Sequence, residues 1–380
     1  LKSKTATTSG TKHKHKMSNQ HRIVDSHIHL FPATHLETLS WHSASNPLGS
    51  QHSVNEYRHA TQSDPNLQGF IFLETDRISS LTDTLPGWKH ALDEVSFLAR
   101  IARGTPIADE GHTPTDKNLC LGIVPWAPVP AGADEVARYM ALVRERTGDI
   151  WGLVRGVRYL VQDKVEGTMV GDGFVDALRW LGREGLVFDL GVDARSGGLG
   201  QLREAVEMMR RVYDGVDDGD SVTIVISLFF SALLLMIWLI SFLDHMCKPN
   251  LRLVNVRSHP EFLEWKDLIT KMAQAPKTFM KLSGVFSELP PLETQSEVEI
   301  AAIVECIQPW TDAVFDAFGA ERVMFGSDWP VCNVGGGGND VSWGRWRSTV
   351  EQLLEKRGLS EEQKGGVWGK VALRAYGIEI

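Results

Sequence analysis

Two short apolar runs end in residues that could do chemistry together. Ile23-Val24-Asp25-Ser26-His27-Ile28-His29 closes on His-x-His, and Val323-Met324-Phe325-Gly326-Ser327-Asp328-Trp329-Pro330 closes on an aspartate. Residues i and i+2 of a strand face the same side, so His27 and His29 can aim both imidazoles at one point. If the first and last strands of a closed barrel are neighbours, Asp328 lies beside them. Two imidazoles and a carboxylate hold a divalent metal, or orient and deprotonate a water. Hydrolysis is the chemistry this set suits. Singly, each has a plainer explanation: two histidines packed in a barrel wall, and an aspartate making an Asx turn before Pro330.

Such a placement needs many parallel strands. From residue 22 onward, short apolar runs alternate with helical patterns, as repeated βα units do. Strands are expected at Ile23–Asp25, Gly69–Leu73, Leu119–Val124, Val154–Tyr159, Leu186–Leu190, Val222–Ile226, Phe279–Leu282 and Val323–Phe325. Between them run amphipathic stretches such as Trp88–Arg103, Ala133–Arg146, Phe174–Glu184, Leu199–Tyr213, Phe262–Ala273 and Val298–Phe318. Eight strands with intervening helices give an α/β protein of (β/α)8 TIM-barrel type. The competing fold is an open doubly wound sheet, and no Gly-rich phosphate loop follows the first strand to support it. Gly335–Gly338 reads as a flexible loop over the barrel mouth.

Active-site groups of such a barrel gather at the C-terminal ends of its strands. Here those ends carry His27 and His29, Glu74 to Arg77, Trp126, Arg158, Asp189, Asp244 and His245, Lys281 and Ser283, and Asp328. His245 is a catalytic candidate, or a loop histidine at a helix entry. Arg158 ends an apolar run, where a lone guanidinium is costly to bury. It would bind an anionic or hydroxyl-rich substrate, or pair with Asp189 or Glu74. Arg77, Trp126 and Trp329 are candidates for polar and stacking contacts to a ligand ring, with rim packing as the alternative. His35, His42, His52 and His59 read mostly as surface positions. Cys247 and Cys332 have no base arranged around them in sequence, which argues against a cysteine nucleophile.

The 380 residues, 43% of them hydrophobic, suffice for one barrel-sized domain. The net charge is −9, and the first sixteen residues hold five lysines and no acid, leaving the remainder near −14. That balance argues against nucleic acid or an anionic membrane as partner. The four cysteines are scattered, which suits free thiols in a reducing compartment, and the cytoplasm is the expected location. Residues 1–21 read as a disordered Ser/Thr/Lys-rich tail and residues 22–380 as the barrel, with Met17 as the natural start of the enzyme.

One segment breaks the pattern. Val222–Leu243 carries no charge and is long enough to span a bilayer, yet it falls inside the sixth βα unit. Removing Ser227–Leu243 joins Ile226 to Asp244-His245 and leaves an ordinary buried strand with a polar end. These seventeen residues therefore read as an anomalous apolar insertion, a translated intron before a transmembrane or packed extra helix. A membrane partner is not expected unless residues 222–243 form a genuine helix.

The ordered motifs Val24-Asp25-Ser26-His27-Ile28-His29, Gly156-Val157-Arg158-Tyr159, Val187-Phe188-Asp189-Leu190, Asp244-His245-Met246-Cys247-Lys248-Pro249, Lys281-Leu282-Ser283-Gly284 and Met324-Phe325-Gly326-Ser327-Asp328-Trp329-Pro330-Val331-Cys332 resemble the amidohydrolase superfamily. The resemblance is to its amidohydrolase 2 branch, nearer the lactonases than the decarboxylases. It implies a metallo-dependent-hydrolase barrel, with His27, His29, His245 and Asp328 as catalytic or metal-binding positions. Members differ over metal, so one divalent ion (zinc or manganese) and metal-free catalysis both stay open. Arg158 stands where a bridging carboxylated lysine would, which argues against a two-metal site. The expected function is hydrolysis of a cyclic ester, a sugar γ-lactone or a related lactone, with Asp328 as general base. The alternatives are a zinc-dependent non-oxidative decarboxylase and an inactive or membrane-anchored barrel. The partner is a small-molecule substrate, and a homo-oligomer is compatible with the sequence.

Overall fold

The computed structural model describes residues 21–380, apart from 44, 83–86, 163, 193–197, 229–249, 252, 284, 287–288 and 290–296. Its strands are β1 (Ile23–Ile28), β2 (Leu67–Leu73), β3 (Cys120–Val124), β4 (Gly156–Leu160), β5 (Val187–Gly191), β6 (Thr223–Leu228), β7 (Thr278–Leu282) and β8 (Val323–Phe325). The helices are α1 (Val54–Ala60), α2 (Lys89–Arg103), α3 (Ala133–Thr147), α4 (Asp172–Arg183), α5 (Gly198–Tyr213), α6 (Pro260–Met272), α7 (Glu297–Phe318), α8 (Ser342–Lys356), α9 (Glu361–Gly365) and α10 (Val371–Ala375).

Neighbouring strands pair in parallel in two runs, β1-β2-β3 and β4 through β8. Bridges from Ile123 to Val154 and from Trp126 to Arg158 join the runs on one side. A bridge from Ile28 to Trp329 joins them on the other and completes the (β/α)8 barrel. Because strand side chains alternate, Phe70, Phe72, Phe188 and Ile224 pack outward against the helices. Val24, Ile71, Leu73, Val124, Val187, Val225, Phe279 and Met324 fill the barrel floor with Val371, Ala372, Ala375, Tyr376 and Ile378. The end of the chain thus plugs the bottom of the barrel.

β6 continues through Ser227 and Leu228, the first two residues of the seventeen-residue apolar insertion. Most of that stretch, together with Asp244, His245 and Cys247, lies outside the described residues. Among the described residues no helix is long and apolar enough to cross a membrane. The glycine run at 335–338 is a packed series of turns rather than the open loop expected from its composition. The Gly336 carbonyl accepts from Arg345 Nη1, and Cys332 O and Phe286 leave no room for a Cβ at Gly336.

Candidate active site

The barrel seam carries the site. The Asp328 amide donates to His27 O at 2.9 Å, and the His29 amide donates to Trp329 O at 2.7 Å. These bonds knit the residues after β8 to the end of β1. Gly326 makes the approach possible, since a Cβ there would stand 3.0 Å from His27 Cβ. Below the seam the Asp25 carboxylate ties three elements together. Its Oδ1 accepts from the Ser327 amide at 2.7 Å, and its Oδ2 accepts from Tyr57 Oη and Trp343 Nε1, each at 3.0 Å. Burial pushes the Asp25 carboxyl upward, and these donors pull it down. Asp328 has φ +60, a left-handed backbone that aspartate tolerates better than most residues.

His27, His29 and Asp328 are all buried and converge. The two imidazole Nε2 atoms are 3.1 Å apart, and Asp328 Oδ1 lies 3.7 Å from the first and 3.5 Å from the second. Ligand atoms about 2.0–2.2 Å from one tetrahedral ion stand roughly 3.2–3.6 Å apart, so the spacing alone of these three groups matches that around a single divalent ion with a fourth position open. His29 Nδ1 faces two carbonyl oxygens, Leu73 O at 3.1 Å and Glu74 O at 2.9 Å. Burial, assisted by the charge of Arg158, pushes His29 down to about 3. Its imidazole is therefore neutral at neutral pH, the state that ligates a metal or accepts from water.

Around this centre runs a ring of buried charge. Arg158 Nη1 stands 3.4 Å from Glu74 Oε1, one of its two foreseen partners. Burial pushes Glu74 up to about 8 against the pull of that guanidinium. Opposite, Lys281 Nζ lies 2.6 Å from Asp189 Oδ2, and burial draws Lys281 down to about 8 against the pull of Asp189.

The remaining expected contacts divide. Trp126 lines a cavity of about 370 Å³ at the mouth with Ser40, Asp76, Tyr159 and Lys164. Arg77 borders the same cavity, but its guanidinium is already engaged. Nε bonds Glu94 at 2.9 Å, and Nη1 bonds His35 O at 3.1 Å and Thr38 Oγ1 at 2.8 Å. Trp329 is fully buried, its ring against Tyr57 and His52 and its Nε1 on Asn339 Oδ1 at 2.8 Å. In these placements the guanidinium braces a loop at the edge of the cavity, and the indole packs the barrel wall behind the candidate site. His52, expected at the surface, is buried against Phe31 and Trp329. Cys120, Cys306 and Cys332 are free thiols. His245 lies outside the described residues.

Sequence reasoning did not single out Asp25 as a clamp or Tyr376 as a neighbour of the site. The Tyr376 hydroxyl rises from the barrel floor to donate to Asp189 Oδ2. An acid inside an otherwise apolar strand was the available signal for Asp25, whereas nothing local marks Tyr376.

Comparison with known proteins agrees with this architecture. The family described as Amidohydrolase matches residues 242–378, a match that begins where the apolar stretch ends. An L-rhamnono-gamma-lactonase of Scheffersomyces stipitis is 32% identical over 365 residues, covering 95% of this chain and all of the relative. An L-fucono-1,5-lactonase of Burkholderia multivorans is 34% identical over 141 residues, 37% of this chain and 43% of that protein. A solved amidohydrolase from Burkholderia multivorans with bound zinc shares the fold, with a TM-score of 0.64 at 22% identity over 94% of this chain and 99% of its own. The chain belongs to the amidohydrolase superfamily, among its lactonase-like members, and is a hydrolase.

Proposed function

We propose that the chain opens a sugar γ-lactone or a closely related cyclic ester by attack of water. The observation that carries this reading is the buried convergence of His27, His29 and Asp328 at the barrel seam. The likeness along the whole chain to a protein named an L-rhamnono-gamma-lactonase supports the choice of ester. Asp328 takes a proton from a water held against His27 and His29 as the water oxygen bonds to the acyl carbon. An imidazole N–H donates to the carbonyl oxygen as it gains negative charge, the stage at which such a donor is most effective. The ring C–O bond then breaks, and the leaving alkoxide takes the proton held on Asp328, directly or relayed through His245, which restores both groups. The product is a hydroxy acid.

His27, His29 and Asp328 would also be the groups that hold a divalent zinc or manganese ion, which would supply Lewis-acid polarisation of the carbonyl. The mouth cavity beside Trp126 and Tyr159 offers aromatic faces, hydroxyls and a lysine for the sugar ring. Arg158, paired with Glu74, orients the ring hydroxyls from the inner wall.

The test is a panel of aldono-1,4- and 1,5-lactones followed by acid release, with CO2 release from aromatic acids measured beside it. Acid release from at least one γ-lactone, well above its spontaneous hydrolysis, is expected. CO2 release without lactone opening would replace this reading with a decarboxylase.

A further inference from the structure

Directly beneath the site lies a second buried cluster whose hydrogen-bond directions can be worked out. Asp189 of β5, Ser227 of β6 and Lys281 of β7 are neighbours on the inner barrel face, and all three are fully buried. Lys281 Nζ contacts Asp189 Oδ2 at 2.6 Å and His27 Nδ1 at 3.3 Å, with the Tyr376 ring centroid 5.4 Å away. The Ser227 hydroxyl donates to Asp189 Oδ1 at 3.0 Å, and the Tyr376 hydroxyl donates to Asp189 Oδ2. Two hydroxyls and an ammonium thus converge on one carboxylate, which fixes Lys281 as its counter-ion.

An ammonium group has three N–H donors and no acceptor. Facing it, His27 Nδ1 accepts, and the proton of the neutral ring is on Nε2. His29 is set the other way. Its Nδ1 faces the Leu73 and Glu74 carbonyl oxygens, which only accept, so its proton is on Nδ1 and its Nε2 carries none and accepts. His27 Nε2–H therefore donates to His29 Nε2 across 3.1 Å. The directions agree along the whole chain from Lys281 to the Glu74 carbonyl.

The two histidines are consequently prepared for different roles. His29, backed by carbonyl acceptors, has the arrangement usual for a metal-ligating imidazole. His27, backed by a cation, does not. An ion on His27 Nε2 requires the ring proton to move to Nδ1, where it would point at the ammonium. Ser227 Oγ, at 3.4 Å from Nδ1, could receive that proton but would not remove the adjacent positive charge.

We propose that Lys281 is a positioning residue that holds His27 as the Nε2–H tautomer, making it a donor to the substrate carbonyl and opposing a divalent ion at the same site. The catalytic half of this statement rests on the lactone reading, whereas the tautomer and metal half does not.

Two measurements on the full chain test it without turnover. Nitrogen-15 NMR of the histidine-labelled, chelator-treated protein, with His27 signals assigned by their loss in His27→Asn, should show a proton on His27 Nε2 and on His29 Nδ1. Zinc affinity, read by competition with a chromophoric chelator, should tighten at least about tenfold in Lys281→Met, the scale on which groups behind a metal ligand tune binding. If burying Asp189 alone prevents that variant from folding, Lys281→Gln combined with Asp189→Asn keeps a neutral hydrogen-bonding pair and should show the same tightening. Circular dichroism identifies the folded variants. A proton on His27 Nδ1 in the parent chain, or zinc affinity in the folded variants within about twofold of the parent, would overturn the proposal.

Discussion

Two fully buried tyrosines allow a matched test of what stabilises the barrel beside the site. Tyr57 donates to Asp25 Oδ2 at 3.0 Å, sharing that carboxylate with Trp343 Nε1 and the Ser327 amide. Tyr139 sets its ring edge-on to Trp88 and Trp126, with centroids 5.4 Å from each, and among the described residues its hydroxyl has no hydrogen-bond partner. Tyr→Phe deletes the same atom at both positions without opening a cavity larger than a hydroxyl. At Tyr57 it takes one of three donors from a buried carboxylate, and a bond to such a group contributes about 1.5–3 kcal/mol. Burial already pushes Asp25 upward, so losing a donor pushes it further. At Tyr139 the deletion removes a hydroxyl that gave up water without compensation, so the change is neutral or stabilising by about 1 kcal/mol. The two variants should differ by roughly 1.5–4 kcal/mol in equilibrium urea unfolding followed by tryptophan fluorescence, with equal m values. Losses that agree within about 0.5 kcal/mol would refute the argument that the Asp25 cluster, rather than aromatic burial, carries the difference.

Other consequences are open to direct measurement. Trp126→Leu takes an aromatic face from the mouth cavity, and one lost ring contact of about 1–1.5 kcal/mol raises KM roughly tenfold while kcat changes less. A kcat loss at constant KM would place Trp126 in the chemistry instead. Removing Ser227–Leu243 makes Asp244 follow Ile226, at the β6 position that pairs with Lys281 in the full chain. The shortened chain should fold and turn over lactone faster than the full one, as read by melting and initial rate. A shortened chain that fails to fold while the full chain is active would show the stretch to be an integral part of the protein.

The parts of the protein legible in its sequence are those written in local periodicity. All eight strands announce themselves as apolar runs, and β8 agrees with expectation at both ends. β1 runs to Ile28, three residues beyond its apolar signal, because its polar end pairs across the seam instead of facing solvent. His27, His29 and Asp328 were legible because the spacing of two and the placement at strand ends both carry meaning in a barrel. Their distances, burial and order of protons were not. The contacts that set them join residues hundreds of positions apart: Asp25 to Trp343, Lys281 to His27, Tyr376 to Asp189. Arg77 and Trp329 show how much of a side chain's setting a local pattern leaves out. Each lies close to a strand end, but its side chain is turned to Glu94 or to Tyr57 by packing that no local pattern encodes.

The proposed lactone opening depends most directly on Asp328 as its base. The decisive measurement compares initial rates of γ-lactone hydrolysis by the parent chain and by Asp328→Asn, with circular dichroism confirming equal folding. Measurable turnover by the parent is expected, with a loss of about 10²–10⁴ in kcat for the variant, the usual contribution of a positioned general base. A folded variant that keeps its rate within a few-fold of an active parent would contradict it.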